Sequence, residues 1–93
     1  MIRSFLCQDT EKLFVHRQSR ALPADVRRVA LRKLAQLNAV TELRQLAVPP
    51  GNRLEALRAD RAGQHSIRVD DRWRLCFRWE ADGPHDVEFV DYH

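Results

Sequence analysis

Cysteine is scarce in this chain, which contains only Cys7 and Cys76. The two lie far apart, and neither belongs to a CxxC motif or a cysteine and histidine cluster, so their spacing favours neither a disulfide framework nor a zinc site. We expect both to be small hydrophobic residues of the core, in keeping with a reducing cytoplasm. The sequence predicts no metal site and no cofactor.

Long hydrophobic runs are also lacking. The N-terminal residues 1–6 are too short for the apolar region of a signal peptide, and no apolar run approaches the length of a membrane span. We therefore expect a cytoplasmic protein that is neither exported nor embedded in a membrane. With 93 residues, 44% hydrophobic and 31% charged, the chain can form one core, and a single domain is predicted over residues 1–93.

Lysine is nearly absent, since Lys12 and Lys33 are the only lysines among sixteen basic residues. Against thirteen acidic residues this gives a net charge of +3 and a pI near 9.4, which suits an anionic partner. Guanidinium groups bind phosphate oxygens in pairs, as an ammonium cannot, so the arginines favour RNA. Composition alone leaves open a second interpretation, in which the arginines reflect the coding composition of the source.

Hydrophobic spacing changes along the chain from a helical period to alternation. Residues 2–7 predict a short opening strand, and Asp9 or Thr10 is a candidate N-cap for a first helix. A second helix is predicted over residues 24–39. Alternation then predicts strands at 53–57, 65–69, 73–79 and 86–90. The order predicts an α+β fold, with an N-terminal strand and two helices packed on an antiparallel sheet of about four strands.

The third of these predicted strands has two chemically different faces. Trp73, Leu75, Phe77 and Trp79 alternate with Arg72, Arg74, Cys76 and Arg78. The apolar set predicts a core face, and Arg68 from the preceding strand would join Arg74 and Arg78 on an open, basic face. RNA would bind on that face, where His65 is a further candidate contact because it shares a strand with Arg68.

The chain ends on Asp91, Tyr92 and His93, directly after an apolar strand. Cleaving RNA requires that the ribose 2′-hydroxyl lose a proton, that the pentacoordinate phosphate be stabilised, and that the leaving oxygen be protonated. An imidazole and a carboxylate can transfer protons near neutral pH, and a phenol can stack on a base. The tripeptide is therefore a candidate catalytic site, although an ordinary C-terminal end also fits it.

Segments throughout the chain resemble a known family. The sequence is similar to the HigB branch of the RelE/ParE toxin superfamily over essentially its whole length. The matching segments are MIRSF at 1–5, GNRLEALRADRAG at 51–63, SIRV at 66–69, WRLCFRW at 73–79 and DYH at 91–93. The resemblance implies a RelE-like fold and the toxin component of a type II toxin-antitoxin system. It further implies a ribosome-dependent, metal-independent endoribonuclease that cleaves messenger RNA and inhibits translation.

The resemblance also implies roles for individual residues. Asp91, Tyr92 and His93 would belong to the active site, with Arg74 as the phosphate-binding arginine. Arg58 stands where the family commonly has lysine, so the positive charge is kept with a different donor geometry.

Glu55 departs from the family pattern, because well-known members have a catalytic histidine at this position. Glu55 is therefore a candidate base in place of a second histidine, or else an exposed carboxylate on a strand.

The resemblance implies partners as well. They are a HigA-like antitoxin with a helix-turn-helix domain, the ribosome with its mRNA, and operator DNA bound only through the antitoxin complex. Two other functions remain open on the same fold: a ParE-like inhibitor of gyrase, which needs no acid or base, and a catalytically inactive RNA-binding module, which Glu55 makes more credible. The terminal tripeptide favours the nuclease.

Overall fold

The computed structural model describes residues 1–91, and the predictions for Tyr92 and His93 lie outside this range. The helices are α1 (Gln8–His16) and α2 (Ala24–Ala39), with 3-10 helices at Leu43–Ala47, Pro50–Asn52 and Ala59–Arg61. The strands are β1 (Glu55–Ala56), β2 (Gln64–Arg68), β3 (Trp73–Glu80) and β4 (Gly83–Asp91). Within residues 1–91, no helix is long and apolar enough to cross a membrane.

The four strands form one antiparallel sheet in the order β1-β2-β3-β4, so each strand pairs with its neighbour in sequence. The register pairs Ile67 with Leu75 and Leu75 with Phe89, which aligns apolar side chains of three strands on one face. The helices pack against this face. The predicted α+β architecture is confirmed.

The hydrophobic core lies between the two helices and the apolar face of the sheet. Leu34 and Leu37 of α2 belong to the same fully buried cluster as Leu75 and Phe77 of β3, and Leu13 of α1 completes it. This confirms the core face of β3 that the alternation of apolar and polar residues predicted. The arginines of β3 must therefore lie on the opposite side.

Strand β1 is two residues long, whereas alternation predicted a strand over residues 53–57. Two residues with left-handed backbone conformations bound it: Arg53 has φ 45° and Ala59 has φ 58°. Positive φ departs from extended strand geometry at both positions, and the register pairs with β2 are Glu55 with Ser66 and Ala56 with His65. The sequence period did not reveal these two turns.

The N-terminal segment lies beside β4, but its strand-like pairing within residues 1–91 is a single parallel bridge between Phe5 and Val87. Three backbone hydrogen bonds hold it there: Arg3 N to Pro84 O at 2.8 Å, Leu6 N to Val87 O at 3.0 Å, and Val87 N to Ser4 O at 3.1 Å. The β3–β4 register shifts between Cys76 and Arg78, so β4 is irregular where this segment meets it. The strand predicted over residues 2–7 is thus reduced to a bridge.

Asp9 stabilises the connection between the helices and does not cap its own helix, which begins one residue earlier with no side-chain cap. The Ser19 hydroxyl donates to Asp9 Oδ2 at 2.7 Å, and the Arg20 backbone N–H donates to Oδ1 at 2.9 Å. The predicted N-cap at Asp9 or Thr10 was therefore wrong. The predicted bounds of α2 are those observed.

Candidate functional site

The side of the sheet opposite the core, called the second face below, carries most of the candidate residues. It is formed by Glu55, Gln64, Ser66, Arg68, Arg74, Cys76, Arg78 and Glu88. The β2–β3 register pairs Arg68 with Arg74 and Gln64 with Arg78, so the three predicted arginines share this face. Their Cα positions come together because β2 and β3 are joined by a tight turn at residues 69–72.

Arg74 is fixed within the second face by three hydrogen bonds. Its Nε donates to Ser66 Oγ at 2.7 Å, and its Nη2 donates to the carbonyl oxygen of Arg53 at 2.6 Å and to that of Ser66 at 3.4 Å. Only 9% of Arg74 is exposed. A guanidinium held by buried acceptors keeps one orientation, and such preorganisation is what binding a charged phosphate at a defined position requires.

Glu55 lies beside this arginine. Its Oε1 is 3.9 Å from Nη2 of Arg74, and 56% of the Glu55 side chain is exposed. At that separation and exposure the ion pair contributes little to stability. The structure therefore brings the candidate base and the candidate phosphate-binding arginine together, with the carboxylate open to an approaching ligand.

The other candidate arginines are more exposed than Arg74. Arg68 is bound by the Asp71 carboxylate, and Arg78 Nε lies 3.5 Å from Asp86 Oδ2. Arg58 is exposed at the start of the 3-10 helix Ala59–Arg61, three residues beyond Glu55. These side chains can change partners when an anion binds, because exposed ion pairs are weak.

An ion pair that the sequence did not predict crosses the second face. Arg61 Nη2 lies 2.9 Å from Glu88 Oε1, with side-chain exposures of 31% and 16%, and Arg61 Nη1 donates to Gln64 Oε1 at 3.0 Å. The Arg61 guanidinium thus lies over β3 between β2 and β4, where Cys76 is fully buried. The second face was expected to be open throughout, and this expectation was wrong at its centre. Glu88 alternates with the core residues Val87 and Phe89, but nothing in the local pattern identifies Arg61 as its partner.

His65 is placed away from the arginines of the second face. It pairs in register with Phe77, and the two rings are stacked with centroids 6.3 Å apart. Its Nδ1 is buried and has no hydrogen-bond partner within residues 1–91. The side chain lies on the core side of β2, so the structure does not join His65 to Arg68.

Asp91 ends β4 next to the start of β3. Its register partner is Trp73, while that of Arg74 is Val90, so strand alternation directs Asp91 and Arg74 to different sides of the sheet. Asp91 Oδ2 lies 2.8 Å from Nε of Arg72. Asp91 and Arg74 are therefore near one end of the sheet without sharing a face, and the rest of the predicted tripeptide lies beyond the described residues.

Within residues 1–91, no group of three or more histidine, cysteine, aspartate or glutamate side chains could hold a metal ion. Cys7 and Cys76 are not disulfide-bonded. Only the second of these cysteines is fully buried, so the expectation of two core cysteines is incomplete at Cys7.

Comparison with known proteins decides the family. A family model described as the RelE-like toxin of the type II toxin-antitoxin system HigB matches residues 3–93. The chain belongs to this family of HigB-like toxins. It is 36% identical to Toxin HigB-1 of Vibrio cholerae over 77 residues, which are 83% of this chain and 80% of that protein. It is also 31% identical to an uncharacterized protein of Haemophilus influenzae over 72 residues, covering 77% of this chain and 70% of that one.

Solved structures agree with this HigB-like assignment at the level of the fold. The crystal structure of YafQ from E. coli superposes with a TM-score of 0.63 at 15% identity, covering 99% of this chain and 92% of YafQ. The crystal structure of a YafQ mutant, also from E. coli, gives a TM-score of 0.62 over the same coverage. The chain is a toxin of a type II toxin-antitoxin system, and such a toxin has an antitoxin partner.

Proposed function

We propose that this toxin is an endoribonuclease that cleaves messenger RNA on the ribosome and so inhibits translation. The observation that carries the proposal is the Arg74 guanidinium, which Ser66 and Arg53 hold in one orientation beside the exposed Glu55 carboxylate. A fixed cation next to an accessible carboxylate matches two needs of RNA cleavage, charge stabilisation at phosphorus and proton transfer.

In the proposed reaction the ribose 2′-oxygen attacks the adjacent phosphorus, and the bond to the 5′-oxygen breaks. Arg74 stabilises the added negative charge on the phosphorane, while Arg58 and Arg68 bind phosphates on either side. Glu55 is the candidate for removing the 2′-hydroxyl proton, because it replaces the family histidine and lies 3.9 Å from Arg74. All these groups belong to the chain itself.

The terminal residues complete the proposal. Asp91 and His93 would carry protons, the latter to the leaving 5′-oxygen, and Tyr92 would stack on a base. Asp91 is bound by Arg72 and lies on the other side of the sheet from Arg74. Asp91 would therefore exchange its proton with His93 and not at the phosphate, and among residues 1–91 Glu55 is the carboxylate beside Arg74.

The proposed partners follow from the family. They are a HigA-like antitoxin with a helix-turn-helix domain, the ribosome with its mRNA, and operator DNA reached through the antitoxin complex. The proposed location is the cytoplasm, where translation occurs.

Induced expression followed by mapping of mRNA 5′ ends tests the proposal. New cuts in translated messages are expected with the wild type, and their loss is expected with Arg74→Gln and His93→Ala. Arg44→Gln is the matched control, since Arg44 is an exposed arginine of the 3-10 helix Leu43–Ala47. Growth arrest with intact messages and inhibited gyrase supercoiling would reject the nuclease in favour of the gyrase inhibitor.

A further inference from the structure

A buried amide on the 3-10 helix Pro50–Asn52 has a fixed orientation. Asn52 is fully buried, and its Nδ2 donates to Gln36 Oε1 at 3.0 Å and to the carbonyl oxygen of Leu46 at 2.9 Å. Its Oδ1 accepts from the ammonium of Lys33. Because an ammonium can only donate, this network holds Lys33 Nζ at one place on the side of α2.

Lys33 has positively charged neighbours. Burial lowers the pKa of the Lys33 ammonium below its usual range, and the positive charges of Arg32 and Arg68 lower it further. No ion pair among residues 1–91 includes Lys33. A half-buried cation subject to repulsion from other positive charges is stabilised when an anion binds to it.

Arg68 connects this lysine to the proposed site. It acts electrostatically on Lys33 and is also the register partner of Arg74 on the second face. The Asp71 side chain that binds Arg68 is almost fully exposed, so another anion can easily replace Asp71 as its partner. The consecutive residues Asn52 and Arg53 thus hold Lys33 Nζ and the Arg74 guanidinium, and Arg68 is the register partner of Arg74.

We propose that Lys33 and Arg68 form a second phosphate subsite, positioned by Asn52, which binds the RNA phosphodiester next to the one at Arg74. The inference rests on the proposed function and deepens it, because it sets the path of the RNA strand away from the reacting phosphate. Adjacent residues support the two subsites: Asn52 holds Lys33 with its side chain, and Arg53 holds Arg74 with its carbonyl oxygen.

Binding of an uncleavable RNA tests this subsite apart from catalysis. The probe is a short single strand with 2′-O-methyl riboses, titrated into the full chain and followed by the backbone amide resonances of β2 and α2. We expect Lys33→Gln to weaken binding about tenfold, since one hydrogen bond to a charged group is lost. The slope of log affinity against log salt should fall by about 0.7, as for one phosphate contact in a single strand.

Lys12→Gln is the matched control, because it removes the same charge from the only other lysine. Its affinity and salt slope should equal those of the wild type. Asn52→Ala should weaken binding in the wild-type background and have no further effect in Lys33→Gln, which identifies Asn52 as a positioning residue. Circular dichroism checks that each variant is folded.

The outcomes of these binding experiments distinguish the phosphate subsite from the proposed nuclease. Binding that depends on Arg74 but is unchanged in Lys33→Gln would overturn the subsite and leave the nuclease standing. RNA binding that is unchanged in both Lys33→Gln and Arg74→Gln would overturn both the subsite and the nuclease. A salt slope that falls in Lys33→Gln, with mRNA cleavage absent in cells, would support the subsite while rejecting the nuclease.

Discussion

The carbonyl oxygen of Arg53 accepts a hydrogen bond of 2.6 Å from Nη2 of Arg74, and Arg53 makes this contact from a left-handed backbone conformation with φ 45°. Such a conformation costs a non-glycine residue about 1–2 kcal/mol. It also ends the segment before β1 and turns the carbonyl towards the second face. The placement of the phosphate-binding arginine therefore depends on the backbone of a residue 21 positions earlier.

Arg74 also contributes to folding. Arg74→Ala removes the donor to Ser66 Oγ and to the carbonyl oxygen of Arg53, and should lower the free energy of unfolding by about 2 kcal/mol. Urea denaturation measures this. Arg72→Ala, which removes an exposed guanidinium paired with Asp91, should cost less than about 1 kcal/mol. Equal costs for the two variants would contradict the structural role of Arg74.

Ala59 is strained by its left-handed backbone conformation, with φ 58°. Ala59→Gly should raise the free energy of unfolding by about 1 kcal/mol, because glycine adopts positive φ at no steric cost. Ala62→Gly, three residues later at φ −55°, should instead lower it by about 0.5–1 kcal/mol. Chemical denaturation of both variants measures whether the free energy of unfolding rises or falls. A loss of stability in Ala59→Gly would contradict backbone strain at Ala59.

The ion pair between Arg61 and Glu88 lies next to the fully buried Cys76, whose register partner is Glu88. Arg61→Ala should expose the Cys76 thiol and raise its rate of reaction with a thiol reagent about tenfold, since access limits the reaction of a buried thiol. The measurement is made in a Cys7→Ser background, so that only Cys76 reacts. Arg58→Ala, from the exposed start of the same 3-10 helix, should leave the rate unchanged. A rate in Arg61→Ala equal to that of its parent would show that other residues cover the thiol.

Stability should depend on pH through Asp9. Burial by itself raises the pKa of this carboxyl, but hydrogen bonds from the Ser19 hydroxyl and the Arg20 and Ala21 backbone amides outweigh burial and hold the pKa below its usual value. Because the folded pKa is depressed, the contribution of Asp9 is fully present above the unfolded pKa of about 4 and is lost as pH falls through the folded value.

Asp9→Asn tests this contribution, because it removes the charge and one of the two acceptor oxygens that Ser19 and Arg20 use. The variant should be less stable than the wild type by about 1 kcal/mol at pH 7, and the difference should shrink as pH falls below about 4. Thermal unfolding at several pH values follows both proteins. Glu80→Gln, at the exposed end of β3, is the control and should differ little from the wild type at neutral pH. A difference that stays constant down to about pH 2 would exclude ionisation of Asp9 as the cause.

Sequence alone predicted the parts of this structure that depend on local periodicity. The bounds of α2 and the two faces of β3 follow from the spacing of residues such as Leu34 and Phe77, which their own segments specify. The short β1 was not predicted, because it depends on left-handed turns at Arg53 and Ala59, residues that usually avoid positive φ. Local spacing therefore specifies the elements but not where an edge strand stops.

The sequence pattern also did not predict the long-range contacts of the site. Lys33 meets Asn52 across 19 positions, and Arg61 meets Glu88 on the far side of β3. The pattern could place Arg68 and Arg74 on one face because strands alternate. It could not show that Arg74 is buried or that the Arg61 side chain crosses that face to Glu88.

Within residues 1–91, strand addition is limited at both margins of the sheet. β1 is only two residues long, and residues 3–6 bond to Pro84 and Val87 of β4. An edge without a long row of unpaired amides resists aggregation between copies of a chain. We therefore expect an antitoxin that neutralises this toxin to recognise mainly its side chains, because β1 is too short for a further strand to extend.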